Sequence, residues 1–378
     1  MGLKMTPPDH SSRLTLIFAT MDRPEAARRL VTSIRQYYPN MDIIAGDQSD
    51  PTNAMRSFYS YNDVLHVNLD YDCGVSEARA ACANAARTEF IVLAEDDFIL
   101  STDTNLSIPL LQLDADSSVG FVGGTIFDIQ GDIDGYHQTV RRRAETYIFH
   151  DPGRGIYLTV PIDYLLPRSR IAGGRVFYEC DATLNWGVMR KSLLQQVWWD
   201  PRFKSHGERE NFFLNMKMNS SYKVSFCPDL ICLRHDIAGT KHRAFRERQS
   251  EWALFGDKWT LRDHLEVGLG LRTYADYETP CWREHGAEDM ARALPPSDES
   301  YLRMWPNGQA FAIGVAAASP SPAPAEPIVA PERLARIVRP ARAPRYDPAK
   351  ETVAWKIALP LVKTELYIRR FVQGWKAA

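Results

Sequence analysis

The chain has 378 residues, 45% of them hydrophobic and 24% charged, with a formal net charge of −2. That length supports one large or two smaller cores, and the near balance of charge excludes the broad basic footprint of a nucleic-acid binder. Six cysteines without a Cys-x-x-Cys pair make no disulfide framework and point to a reducing cytoplasm. The polar N-terminus carries no apolar signal core, and no run reaches the ~20 apolar residues of a spanning helix.

In chain order, residues 14–18 read as a strand, followed by a helix over 24–38 that Asp22 can cap and Pro24 can open. A short strand over 42–45 ends in the polar turn 46–51, and a third strand is expected at 64–69. An Ala-rich helix over 74–86 carries Arg79. The next strand begins at Phe90 and runs straight into Glu95, Asp96 and Asp97 before Phe98. Strands separated by single helices predict a parallel, doubly wound sheet, and ligands of such sheets sit beyond the carboxyl ends of the strands. Three carboxylates crowded at such a cleft repel one another unless a cation or ordered hydrogen bonds compensate. A hard divalent metal is the natural partner for them, and a solvated acidic turn is the plain alternative.

Farther on, 119–127 reads as a strand and 130–174 as loop-rich, with the basic run Arg141, Arg142, Arg143 taken as a solvated loop. A helix is expected over 191–197, and another begins near Gly207 with Glu208 and Glu210 in its first turn. Strands at 222–226 and 230–233 follow, the second delivering Arg234 and His235. Residues 316–348, dominated by Ala and Pro, read as a semi-rigid linker. The segment 349–378 reads as a basic amphipathic helix, suited to an anionic membrane surface or to packing on a partner.

One ordered set of motifs runs through this frame: Thr20-x-Asp22-Arg23-Pro24, the strand-end Asp47 with Ser49, Gly74-x-Ser76-x-x-Arg79, Glu95-Asp96-Asp97-Phe98, and Gly207-Glu208-x-Glu210-x-Phe212-Phe213-Leu214 followed by His235. Over residues 13–259 the set resembles family 2 nucleotide-sugar glycosyltransferases of GT-A fold, nearest in flavour to the β-1,4-N-acetylgalactosaminyltransferase-like group. The resemblance implies an α/β, Rossmann-like, mixed but mostly parallel sheet flanked by helices. Its catalytic domain would span 13–265, with a nucleotide-binding half at 13–113 and an acceptor half at 114–265. A flexible N-terminus at 1–12 and an extension at 266–315 would flank it, ahead of the linker and the helical tail.

By that resemblance the activity is an inverting, metal-dependent transfer from a UDP-sugar, UDP-GalNAc or another UDP-hexose, to a glycan or glycolipid hydroxyl in polysaccharide biosynthesis. Thr20, Asp22, Arg23, Asp47, Arg79, Glu95 and Asp96 are expected at the nucleotide-sugar, and Asp181, Asn185 and Trp186 at the acceptor or donor sugar. Asp97, Glu95 and His235 are expected to hold Mn²⁺ or Mg²⁺, with Asp97 the principal ligand. Such a metal acts as a Lewis acid on the departing diphosphate. Transfer also needs a base for the acceptor hydroxyl. Glu210 and Glu208 are both placed for that. Arg209 and Asn211 stand where the family pattern has Asp, so the register is ambiguous; Glu210 is narrowly favoured, Glu208 then being a helix N-terminal acid stabilised by the dipole. Contact with the membrane or a partner enzyme through 349–378 would put the protein in the cytoplasm or at the inner face of the membrane. The chain departs from the family pattern at Glu95, Ala80 and Asn211, which leaves a catalytically silent glycan-binding or scaffold module as the alternative.

Overall fold

The computed structural model describes residues 10–50, 52–130, 138–142, 144–153, 155–162, 168–236, 250–266 and 270–273. Its first part alternates as the apolar runs require: β1 (Leu14–Thr20), α1 (Pro24–Tyr37), β2 (Asp42–Asp47), α2 (Asn53–Tyr61), β3 (Val64–Asn68), α3 (Val75–Ala85) and β4 (Phe90–Glu95). Pro24 sits in the first turn of α1, and Ala27, Leu30, Val31 and Ile34 form its buried stripe. The Thr52 hydroxyl caps α2 by accepting the Met55 N–H at 3.3 Å. Next come β5 (Phe98–Ile99), α4 (Ser107–Ala115), β6 (Val119–Gln130), β7 (Gln138–Arg142), β8 (Thr146–Asp151), β9 (Ile156–Pro161), β10 (Ser169–Ala172), β11 (Arg175–Cys180) and β12 (Gly187–Arg190). The described chain closes with α5 (Glu208–Asn219), β13 (Lys223–Arg234), α6 (Ser250–Trp259), β14 (Asp263–Glu266) and β15 (Gly270–Thr273).

The main sheet is ordered β10-β11-β13-β6-β12-β4-β1-β2-β3, with β5 added on β13 and β7 on β6. The strands β4, β1, β2 and β3 pair in parallel, whereas β12 lies antiparallel to both β4 and β6. Because β13 is parallel to β6, it points the same way as β4, so Arg234 arrives at the edge where Glu95 ends. A smaller sheet is ordered β15-β14-β9-β8. Alternate residues of β1 feed two apolar layers. Leu16 and Phe18 pack with Leu30 and Ile34 of α1 and Leu110 of α4, while Ile17 joins Cys82 of α3, Phe213 of α5 and Phe255 of α6. The expected mixed, mostly parallel sheet flanked by helices is therefore what the structure shows.

Several local expectations need correction. The stretch 130–174 is not loop-rich, since β7 to β10 lie within it. Its strands are short and carry charges such as Arg141, Arg142 and Arg170, which hides the apolar alternation of a strand. The strands at 222–226 and 230–233 are one strand, β13, with a register shift between Cys227 and Ile231. The helix over 191–197 is a 3₁₀ turn, Lys191–Gln195. Arg143, the linker 316–348 and the tail 349–378 lie outside the described residues. Among the described residues, no helix is long and apolar enough to cross a membrane.

Gly74 precedes α3 with φ +105°, and a Cβ there would stand 2.7 Å from Lys204 Cα. The close approach lets the Val75 N–H donate to the Lys204 carbonyl at 2.8 Å. Gly74→Ala should therefore lower stability by roughly 2–4 kcal/mol, from a strained backbone and a clash that has no flexible side chain to yield. Urea unfolding would measure it.

Candidate active site

The ends of β1, β2 and β4 lie side by side, with Thr20 opposite Asp47 and Ala19 opposite Glu95. There the acidic run is held by arginines rather than left to repel. Asp96 accepts from the Thr20 hydroxyl at 2.8 Å and from Arg23 Nη1 at 2.8 Å. Asp97 Oδ2 accepts from Arg23 Nη2 at 3.2 Å and from Arg234 Nε at 3.0 Å. Asp97 Oδ1 is buried and has no hydrogen-bond partner. Burial pushes the Asp96 carboxyl up to about 7, helped by the neighbouring Asp97 and Glu95 and opposed by Arg23 and the Thr20 hydroxyl. Asp97 is raised too, first by burial and then by Glu95, against the pull of Arg234 and Arg23. Arg23 is thus buried against these acids.

Glu95 turns the other way, into a cleft of about 130 Å³ that it lines with Thr20, Gln48, Arg79, Lys204 and Glu208. Glu95 Oε1 accepts from Asn185 Nδ2 at 3.1 Å and from Arg79 Nη2 at 3.4 Å. The same Asn185 amide reaches Glu208 Oε1 at 3.3 Å, and Arg79 Nη1 stands 3.5 Å from that oxygen. Arg79 is no surface arginine, being only 2% exposed. Burial raises the Glu208 carboxyl above its ordinary range, with Glu210 and Glu95 adding to the shift and Arg79 opposing it.

Beside this cleft lies a second cavity of about 310 Å³, lined by Thr20, Asp22, Asp47, Ser49, Met55 and Tyr59. Asp47 is 3% exposed. Its Oδ1 accepts from the Ser49 N–H at 2.9 Å and the Ser49 hydroxyl at 2.5 Å, and its Oδ2 from the Tyr59 hydroxyl at 3.4 Å. Asp22 adopts the left-handed conformation at φ 54°. Its N–H donates to Ser49 Oγ at 2.9 Å, and Tyr71 donates to its carboxylate at 3.0 Å.

The structure gathers Thr20, Arg79, Glu95, Asp96, Asn185 and Glu208 at the cleft and Asp22 and Asp47 at the adjoining cavity. Arg23 also lines the cleft, whereas Trp186, Asp181 and Glu210 do not reach it. Trp186 is 0% exposed, donates from Nε1 to the Leu230 carbonyl at 3.2 Å, and meets Phe98 edge-on, so it is a core residue. Asp181 pairs with Lys217 at 2.6 Å and lines a cavity at the far end of β13. Glu210 pairs with Arg209 and lines none of the cleft.

His235 donates its backbone N–H to the Asp97 carbonyl at 2.9 Å, and its Nδ1 lies 2.8 Å from Arg29 Nη1. A guanidinium can only donate, so Nδ1 is the acceptor and Nε2 carries the ring proton, which leaves no open ligand lone pair in this arrangement. Among the described residues, no group of three or more His, Cys, Asp and Glu side chains converges as a metal site. The Asp97 oxygen without a hydrogen-bond partner is, among the described residues of this region, a donor position that suits a hard cation.

Sequence reasoning overlooked Gln48, Lys204 and Arg234 as members of this region. Gln48 Oε1 accepts the Gly74 N–H at 2.7 Å, and Lys204 Nζ donates to the Asp72 carbonyl at 2.7 Å. Arg234 carried a signal, since it immediately precedes the strand-end His235. Gln48 and Lys204 lie in polar loops whose contacts no spacing encodes.

Comparison with known proteins gives the same direction. The family model "Glycosyl transferase family 2" matches residues 15–197. The chain is 24% identical over 270 residues to β-1,4 N-acetylgalactosaminyltransferase 1 of Homo sapiens, covering 71% of this chain and 44% of that protein. The Rattus norvegicus protein of the same name is 25% identical over 221 residues, covering 58% and 38%. The chain thus spans less than half the length of these relatives. The crystal structure of S. aureus TarS 1-349 is similar at TM-score 0.40 and 16% identity, over 59% of this chain and 60% of that one.

Proposed function

We infer, for a chain whose residues 15–197 belong to glycosyl transferase family 2, that the cleft moves a sugar from a UDP-sugar to a glycan or glycolipid hydroxyl with inversion. The observation that carries this reading is the pairing of Glu208 with Glu95 across the cleft through Asn185 and Arg79. A buried carboxylate whose affinity for protons is raised is suited to take a proton near neutral pH. Glu208, rather than Glu210, is the base in this reading.

Asp47 and Ser49 offer the nucleoside base a carboxylate and a hydroxyl in the adjoining cavity. Arg79 and Lys204 line the cleft and would supply positive charge to a diphosphate there. The acceptor oxygen forms its bond to the anomeric carbon, the bond from that carbon to the diphosphate breaks, and the acceptor proton passes to Glu208. Asn185 holds Glu208 and Glu95 at fixed separation, which keeps the base aligned without reorganisation at the moment of transfer. Asp97 and Glu95 would hold a divalent metal, Mn²⁺ or Mg²⁺, and when bound it would supply Lewis-acid stabilisation of the departing diphosphate oxygens. His235 would join them only after releasing Arg29.

The names of the relatives make UDP-N-acetylgalactosamine the first donor to try. A screen of UDP-hexoses and UDP-N-acetylhexosamines with Mn²⁺, read by UDP release with oligosaccharide acceptors, tests the proposal. Turnover with one donor is expected. Binding of UDP without turnover of any donor would instead support the silent-module reading.

A further inference from the structure

The far end of the same sheet holds a cavity of about 440 Å³ that the transfer chemistry does not use. It opens at the start of β13, near Lys223, whereas the catalytic cleft lies at its end, near Arg234. A strand of this length separates the two by on the order of 30 Å. Three aromatic rings, Tyr147, Phe149 and Tyr222, contribute to the wall. Gln112 also lines it and is 3% exposed; its Nε2 donates to Ser225 Oγ at 2.9 Å, while its Oε1 is buried with no partner. An amide oxygen buried without a hydrogen bond is costly unless a ligand supplies the donor.

The charges around the cavity are nearly balanced and mostly committed to one another. Arg170 pairs with Asp116 at 2.9 Å and with Glu179 at 3.1 Å, and Lys217 pairs with Asp181 at 2.6 Å. An anion would meet these carboxylates as well as the cations, and an apolar ligand would leave Gln112 Oε1 without a partner. Hydroxyls that both donate and accept, on a ring with apolar C–H faces, satisfy the amide, the ion pairs and the aromatic wall together. The volume falls within the roughly 300–1,000 Å³ of small-molecule pockets.

We propose that this cavity is a second saccharide site, which holds an uncharged segment of a glycan away from the reacting end. The assignment of that glycan as acceptor or product rests on the transfer reading above; the binding site does not. Tethering a glycan at a distant site raises its effective concentration at the cleft without any new contact there.

The test uses the full chain without metal or nucleotide, titrated with chitotetraose, β-1,4-galactotetraose, cellotetraose and, separately, inorganic phosphate. Calorimetry measures affinity, and hydroxyl-radical footprinting reads protection of Tyr147 and Tyr222. Two variants accompany the wild type: Ser221→Trp, at an exposed residue on the cavity rim, and Gln112→Met, which keeps the volume and removes the amide. At least one saccharide should bind the wild type with protection of both tyrosines. Ser221→Trp should weaken that binding by about tenfold or more, while UDP affinity with Mn²⁺ stays unchanged. Gln112→Met should weaken saccharide binding in the same direction. The proposal is overturned if no saccharide binds at millimolar concentration, if both variants bind as the wild type does, or if phosphate alone binds. Failure of the wild type to bind UDP would count against the transfer reading and leave a positive saccharide result standing.

Discussion

Glu208→Gln should lower kcat by about 10²- to 10⁴-fold while leaving the KM for the donor nearly unchanged. The amide keeps an oxygen that can accept from Asn185, whose Nδ2 lies 3.3 Å from the native carboxylate, so the cleft keeps its shape and loses only the proton acceptor. That range is what a positioned general base contributes. Glu210→Gln breaks a pairing with Arg209 and should change kcat by no more than about threefold, since Glu210, though buried, lines none of the cleft, so the change removes no proton acceptor from it. The pH profile adds a sign. A base must be ionised to act, and burial holds Glu208 above its ordinary carboxylate range. The acidic limb of kcat should therefore rise with pH through a midpoint above the ~4.3 of a free glutamate, and Glu208→Gln should abolish that limb. Steady-state kinetics of UDP release reads all three. Loss of turnover in Glu210→Gln with none in Glu208→Gln would reverse the assignment.

Asp97→Asn should act on both stability and metal response, and the two effects can be separated. Arg23 and Arg234 both donate to Asp97 Oδ2 from buried positions. Removing the negative charge takes away the nearest counter-charge of Arg234, which keeps only the longer contacts to Asp128 at 3.4 Å and Asp236 at 3.5 Å, and should cost at most about 3–5 kcal/mol. Arg23 keeps Asp96 at 2.8 Å, so most of the loss should be felt through Arg234. Adding Arg234→Met to Asp97→Asn should restore part of that stability in urea unfolding, because an apolar side chain of similar length needs no counter-charge. The metal response should not return. In the wild type Mn²⁺ should strengthen the thermal stabilisation conferred by UDP, and in both variants that increment should vanish. If the increment survives unchanged in Asp97→Asn, another residue is the principal metal ligand.

The strands and the acidic run were legible in the sequence because a buried parallel strand is a continuous apolar run, and charge at its end stands out. Thus β1, β2, β3 and β4 lie close to where the runs predict them. The partners of the acids were less legible. Arg234 meets Asp97 from 137 residues away, and that meeting depends on β13 running parallel to β6 in a sheet whose order no local pattern encodes. The choice between Glu208 and Glu210 was open in the sequence for a geometric reason. Residues two apart on a helix point about 200° from each other, so only one can face the cleft. The apolar residues of α5 do not decide which, since Asn211, Phe212, Phe213, Leu214 and Met216 are buried around its girth. Trp186 illustrates the opposite case, an aromatic beside site residues whose ring faces the core because its indole N–H finds the Leu230 carbonyl there.

Calorimetric titration of UDP into the full chain with Mn²⁺ tests most directly whether the cleft and its neighbouring cavity form one site for a uridine diphosphate. Saturable binding at one site is expected, weakened at least tenfold by Asp47→Ala, which removes the buried acceptor of the base cavity, and unaffected by Glu210→Gln. Absence of UDP binding by the wild type, or binding that Asp47→Ala leaves intact, would contradict it.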